Sequence, residues 1–202
     1  LQYLSPIMGL ALLVAMLRAL FLQSAQQQDL DQNKWNRINL GNYWMDIIRP
    51  LFRFFIPLGF IFSLLLTFQG VPATLSAGPT AQVLEQSTEV KTQHIPLGPV
   101  APMVAIKQLG SNGGGWYGPN SSVPLENPTP LSNVIEMIAI LLIPLSAVFM
   151  VGRFIQRKKL KWMIFGSMLL MSLSSTLLTL WAEKSSLIPN VGWMEGKEVR
   201  FG

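Results

Sequence analysis

The sequence predicts an all-α integral membrane protein with about four transmembrane helices and a re-entrant loop made of a half-helix and a Gly-rich turn. Three observations lead there. Of the 202 residues 50% are hydrophobic and only 12% are charged, against about 25% charged in an average soluble domain. Four apolar stretches approach the roughly 20 residues that a bilayer core requires. The run Gly110-Ser111-Asn112-Gly113-Gly114-Gly115 follows a short apolar segment and precedes the third of those stretches.

Taken in order, the spans cover residues 4–22, 51–68, 134–151 and 162–181, the last without any charge. Arg18 and Arg53 stand near span ends, where a long side chain can snorkel to the interface. Pro6, Pro57 and Pro144 fall in or near spans and suggest kinks rather than breaks. Orientation follows from the lysines and arginines. Lys34, Arg37 and Arg49 lie between the first two spans, and Arg153, Arg157, Lys158, Lys159 and Lys161 between the last two, whereas residues 69–133 hold only Lys91 and Lys107. Both basic connectors are therefore expected in the cytoplasm, and the long polar segment outside. The net charge of +5 is explained by these flanks, so nucleic acid is not an expected partner. With no cysteine, disulfides, thiolate metal sites and cysteine nucleophiles are excluded. The chain opens at Leu1 in or beside an apolar span and ends at Gly202 with no terminating element. It reads as an internal piece of a longer polypeptide.

Within the outer segment, residues 70–98 are rich in Pro, Gly, Ser, Thr and Gln, with a short strand possible over 87–95. Residues 100–109 are too few to span a bilayer but suffice for a half-depth helix with prolines in its first turn. A helix C-terminus carries partial negative charge, which lowers the cost of a cation at its tip. Successive carbonyls can replace a cation's hydration shell where the backbone adopts conformations that glycine permits. Trp116-Tyr117 suit a membrane interface or a wedge that holds the loop. Glycine clusters usually mark turns, so on these residues alone a loose external loop stands beside the ion-binding reading.

Spaced blocks decide between them. Gly98-Pro99-Val100-Ala101, the run from Ala105 through Gly115, Glu126-Asn127-Pro128-Thr129-Pro130-Leu131 and the terminal Met194–Gly202 block resemble the potassium-binding A subunit of the bacterial Kdp potassium-transporting ATPase. The resemblance runs essentially end to end. It implies a potassium-channel-like subunit in which four span–pore-loop–span repeats surround one selectivity filter, in the bacterial inner membrane. On that pattern residues 1–50 close the preceding repeat and form a cytoplasmic connector. Residues 51–151 make one complete repeat around the external segment 69–133, and 152–202 carry the basic connector, the next repeat's first span (162–181) and an external tail.

Carried over by position, Ser111, Asn112, Gly113, Gly114 and Gly115 would line the path of K+, which is the transported ion. The family's loop reads Gly-Thr-Asn-Gly-Gly-Gly followed by two phenylalanines. Ser111 here keeps the hydroxyl and the carbonyl, Trp116-Tyr117 replace the phenylalanines, and Gly118-Pro119 can tilt the outer lip. The resemblance further implies an ATP-driven uptake pump. This chain would select K+ on the extracytoplasmic side and pass it to a catalytic, ATP-hydrolysing B subunit accompanied by small accessory subunits. A channel-like or ion-coupled potassium transporter of the same superfamily is the nearest alternative, against which the Glu126–Pro130 and Met194–Glu198 blocks argue. A membrane transferase would need convergent acid, base or metal groups, and Glu85, Glu89, His94 and Glu126 lack that spacing. A purely structural anchor would have no use for a half-helix before a glycine run.

The remaining candidates have plainer readings. Glu136, just inside the third span, is a functional candidate by default, yet it can also reach the headgroup layer or cap the loop; the family tolerates Gln there. His94 reads as an exposed loop histidine without a second ligand. Asn120-Ser121-Ser122 matches a glycosylation acceptor that a bacterial setting makes irrelevant. The cluster Arg153–Lys161 suits anionic lipid, with docking of a cytoplasmic partner as the alternative. Gly166 and the hydroxylic residues of the fourth span suggest packing inside protein. Trp35, Trp44, Trp116, Trp162, Trp181 and Trp193 form the usual aromatic belt. Phosphate-binding and aspartyl-phosphorylation motifs are missing, so the chain is expected to hold no ATP site and no enzymatic activity of its own.

Overall fold

The computed structural model describes residues 2–26, 41–82, 92–155 and 157–184. Lys34, Trp35, Arg37, Glu85, Glu89, Lys91, Trp193 and the 194–202 block lie outside the described residues. The elements are α1 (Leu4–Gln26), α2 (Tyr43–Pro50), a π turn (Leu51–Phe55), α3 (Ile56–Phe68), β1 (Thr80–Gln82), β2 (Thr92–His94), α4 (Val100–Gly110), a 3-10 turn (Pro119–Ser121), α5 (Pro130–Phe154) and α6 (Lys158–Lys184). Among the described residues four helical stretches are long and apolar enough to cross a membrane: Leu4–Phe21, Tyr43–Phe68, Pro130–Phe154 and Lys159–Ala182. Each overlies one of the four expected spans.

The second span begins earlier than its apolar run suggests. Asn42 caps α2, its Oδ1 accepting the Trp44 and Met45 N–H groups at 3.0 and 3.3 Å. That cap starts the helix eight residues (Tyr43–Pro50) ahead of position 51. Past Pro50 the helix widens into the π turn, where Ile56 N–H reaches the Leu51 carbonyl, and Pro57, which has no N–H for the Arg53 carbonyl inside that turn, follows directly. The Tyr3 hydroxyl donates to the Phe55 carbonyl at 2.8 Å in the same turn. Pro144 lies inside α5 without ending it.

The chain divides into two compact units. The first, Leu1–Val14 with Asn42–Ile143, holds two apolar cores. One packs Ile7 and Ala11 of α1 against Ile47 and Phe55. The other packs Phe62 and Leu66 of α3, Ala139 of α5 and the apolar residues of α4. Ala101 and Ala105, four apart, present little bulk and let neighbouring backbones approach α4. The two short strands pair antiparallel, Ala81 opposite Gln93. The expected strand over 87–95 thus survives in its described part as Thr92–His94, with His94 exposed.

The second unit is Ala15–Gly41 with Pro144–Gly202. A Cβ on Gly152 would run into the Lys161 side chain, so glycine permits the close turn between α5 and α6 there. The Phe149 and Trp162 rings meet edge-on at 5.5 Å, with the Lys161 ammonium 5.6 Å from the Phe149 ring. The Arg18 guanidinium closes on Gly41 (φ 82), as a snorkelling arginine would toward the connector. None of the α6 apolar window is buried among the described residues, which therefore do not supply the packing expected of that span. Several of its hydroxyls bond locally: Ser174 donates to the Met171 carbonyl at 2.9 Å and Thr179 to the Ser175 carbonyl at 3.0 Å.

Candidate ion-binding loop

α4 positions the loop. Its residues Val100, Ala101, Val104, Ala105, Lys107, Gln108, Leu109 and Gly110 are all buried, on every face of the helix. The helix ends at Ser111, which turns left-handed (φ 53, ψ 33) and donates its N–H to the Gln108 and Lys107 carbonyls. Its Oγ donates to the Ile140 carbonyl of α5 at 2.9 Å. A left-handed serine costs about 1–2 kcal/mol, and that hydroxyl bond helps to hold it.

Beyond Ser111 the chain runs in conformations that side chains resist. Gly113 and Gly114 have φ of 71 and 79. Asn112 Nδ2 donates to the Gln2 carbonyl, and Gly114 lends its carbonyl to the Asn120 N–H at 3.0 Å. Among the described residues no hydrogen bond engages the Ser111, Asn112, Gly113 or Gly115 carbonyl. Ser111, Asn112 and Gly114 are exposed. The five expected residues therefore follow one another directly at the tip of a buried helix, and of their carbonyls the Gly114 one is taken by Asn120.

The returning limb hangs on one carboxylate. Glu126 Oε1 accepts the Trp116 and Tyr117 backbone N–H groups at 2.5 and 2.8 Å. Its Oε2 accepts Lys107 Nζ at 2.9 Å and the Ser121 hydroxyl at 2.9 Å. Lys107 Nζ also donates to Ser121 Oγ. Neither the Lys107 nor the Glu126 side chain has any exposed surface (0% for both). Burial pushes the Glu126 carboxyl up, but the Tyr117 N–H, Lys107 and Ser121 outweigh it and hold it below the usual carboxylate range. Burial, then the Glu126 charge, push the Tyr117 phenol up. The Trp116 indole lies on Gly98, where an added Cβ would sit 2.5 Å from the ring. That contact is compatible with the wedge reading of Trp116, whose side chain stays 38% exposed.

Two further groups brace the loop. Gln108 Nε2 donates to Glu136 Oε2 at 2.5 Å, and Glu136 is buried at 4% exposure, with Oε1 unpartnered. Glu136 thus turns inward to α4, not out to the headgroup layer. The Glu126–Leu131 block opens α5: Thr129 Oγ1 accepts the Ser132 N–H at 3.0 Å while Ser132 Oγ accepts the Thr129 N–H at 3.0 Å, ahead of Pro130 at the first helical position. Thr129 also donates to Gln69 Oε1 at 2.9 Å, tying the end of α3 to the start of α5.

Sequence reasoning passed over Lys107, Gln108 and Glu126 as site residues. The available signal was a lysine inside a ten-residue apolar helix, which demands a counter-charge. Among the described residues no group of three or more His, Cys, Asp or Glu could hold a metal ion.

Comparison with known proteins points to one family. The sequence profile of the family described as "Potassium-transporting ATPase A subunit" matches residues 1–202. The chain is 41% identical over its full length to the potassium-transporting ATPase potassium-binding subunit of Leptospira interrogans, covering 34% of that protein. It is 38% identical to the protein of the same description from Pseudomonas putida, and 34% identical to that of Herpetosiphon aurantiacus, covering 34% and 36% of them. The chain spans about a third of the length of these curated relatives.

Proposed function

The chain belongs to the potassium-transporting ATPase A subunit family, and from that premise we propose that it carries one strand of a potassium filter in an ATP-driven uptake pump. Ser111, Asn112, Gly113, Gly114 and Gly115 offer backbone oxygens to a largely dehydrated K+ at the extracytoplasmic side. The ion then passes within the membrane to a separate catalytic subunit that hydrolyses ATP, in a complex with small accessory subunits in the bacterial inner membrane. Residues 51–151 form one span–pore-loop–span repeat of four, and the basic connectors lie in the cytoplasm.

One observation carries the reading: the Ser111 hydroxyl bonded to the Ile140 carbonyl. At a rise of about 1.5 Å per residue, Ile140 lies roughly 15 Å along α5 from Pro130, about half of a 30 Å hydrocarbon core. A loop tip at that depth fits re-entry, and non-helical backbone at such depth is tolerated only where it lines a cavity or is buried in protein. The dipole of α4 adds to the case, since its C-terminal end faces the loop.

The test is cation-stimulated ATP hydrolysis by the full-length protein in its complex, with Gly113→Ala beside the parent. A Cβ at Gly113 (φ 71) would meet Asn120 Oδ1 at 3.2 Å and strain the turn. Half-activation should require at least about tenfold more K+, a loss of some 1.4 kcal/mol, and rubidium should discriminate less well from K+. Unchanged affinity and selectivity would make residues 110–115 an ordinary loop.

A further inference from the structure

Beyond the loop's own oxygens, we infer that the buried Lys107–Glu126 pair determines which cation the loop accepts, with Glu126 as the positioning residue and Lys107 as its counter-charge. The inference rests on the ion-binding reading above and deepens it. A single carboxylate collects four donors from three places: Lys107 in the last turn of α4, the Trp116 and Tyr117 N–H groups just past the glycines, and Ser121 in the 3-10 turn. The two ends of the loop are thereby fixed to one rigid group. There is no slack on the loop side either, because a Cβ on Gly115 would lie 2.7 and 2.8 Å from the two Glu126 oxygens.

Electrostatics points the same way. The Ser111 N–H bonds the Lys107 carbonyl, so the ammonium-bearing residue is one helical turn from the first candidate oxygen. A buried ammonium without a partner would repel any cation there, since little water screens it. Glu126 cancels that charge and leaves the carbonyl dipoles to act alone. Discrimination against a smaller cation requires oxygens that cannot close in on it. A loop whose two ends are pinned to one carboxylate keeps its span, so Na+ recovers less coordination than its dehydration costs.

The experiment compares four variants in the complete ATPase complex reconstituted in vesicles: Glu126→Gln, Lys107→Met, the double variant Lys107→Met/Glu126→Gln, and Gly113→Ala. For each, the K+, Rb+ and Na+ concentrations that half-activate ATP hydrolysis are measured together with the maximal rate. Glu126→Gln should raise the K+ requirement at least about tenfold and narrow the K+/Na+ ratio by a similar factor, with a smaller fall in maximal rate. Lys107→Met should move the K+ requirement less than Glu126→Gln does, because it leaves a negative charge beside the path. The double variant restores charge neutrality and should recover much of the K+ affinity, but not the discrimination that the rigid grip supplies.

A double variant with the parent's K+/Na+ ratio overturns the inference. If Gly113→Ala shifts the ratio and the pair variants do not, only this inference fails; if Gly113→Ala is also silent, the ion-binding reading itself fails. Where the neutral variants do not assemble, Glu126→Asp decides, because it keeps the charge and shortens the reach by one methylene. Parent-like discrimination in Glu126→Asp would sink the proposal, and a narrowed ratio supports it.

Discussion

The Gly115 α-carbon faces the Glu126 carboxylate so closely that one methyl group would overlap both of its oxygens, and the Gly118 carbonyl as well. This contact is why the last glycine of the run is needed, since Gly115 is not among the glycines of positive φ. Gly115→Ala should therefore cost stability through overpacking, about 1–3 kcal/mol. Gly166→Ala offers the comparison: nothing lies within 4 Å of an added Cβ there, and alanine favours the helix. Thermal melting of the purified complex should rank Gly115→Ala well below the parent and Gly166→Ala at or above it. The reverse order would contradict the packing described.

Acid should loosen the returning limb. The folded-state pKa of Glu126 is lowered, so its contribution is fully present above the unfolded carboxylate value of about 4.3 and is lost as pH falls through the lower folded value. Melting temperatures recorded from neutral pH down to about pH 3 should decline in the acid range for the parent. Glu126→Gln should lack that part of the decline. Parallel curves for the two proteins would show that other carboxylates dominate.

Glu136 and Gln108 separate charge from hydrogen bonding. One Glu136 oxygen is buried without a donor, so Glu136→Gln, which removes the buried charge and keeps an oxygen for Gln108 Nε2, should be close to neutral. Glu136→Ala leaves the Gln108 amide unsatisfied instead and should cost about 1–3 kcal/mol. Equal melting points for the two variants would remove the Gln108 bond from the account.

Sidedness is open to chemistry because the chain has no cysteine. Leu75, 97% exposed in the segment between α3 and α4, should react as Leu75→Cys with a membrane-impermeant maleimide added outside intact cells. Lys159→Cys should react only after the membrane is opened. Labelling in the opposite sense would invert the topology drawn from the basic connectors.

The apolar stretches made the spans legible, and prolines in the first turn of a mostly apolar ten-residue stretch made α4 legible within a residue of its end. Each of those signals is local or periodic. The Lys107–Glu126 pair leaves no such trace: its partners are nineteen positions apart, on a helix and a turn with no shared period. Lys107 entered the sequence reading as one of two positive charges in the outer segment and as part of the Ala105–Gly115 block, with no partner attached to it. α2 was hidden for another reason. Asp46 and Arg49 make it look like connector, and only the Asn42 cap and the burial of Ile47 reveal it as the first turns of the second span. Glu136 was visible as an acid in a span, but its direction depended on Gln108, a residue that polarity alone does not mark.

The π turn at Leu51–Phe55 carries one more residue than a regular turn of helix needs. It works as a phase shifter. Removing any one of those five residues would let the span relax to uniform α-helix and rotate everything ahead of it by about 100°. Ile47 would then leave Ile7 and Ala11, while the Phe55 carbonyl would lose the opening through which Tyr3 reaches it. A one-residue deletion there is a larger change than most substitutions in the same helix, because it re-addresses a whole face at once.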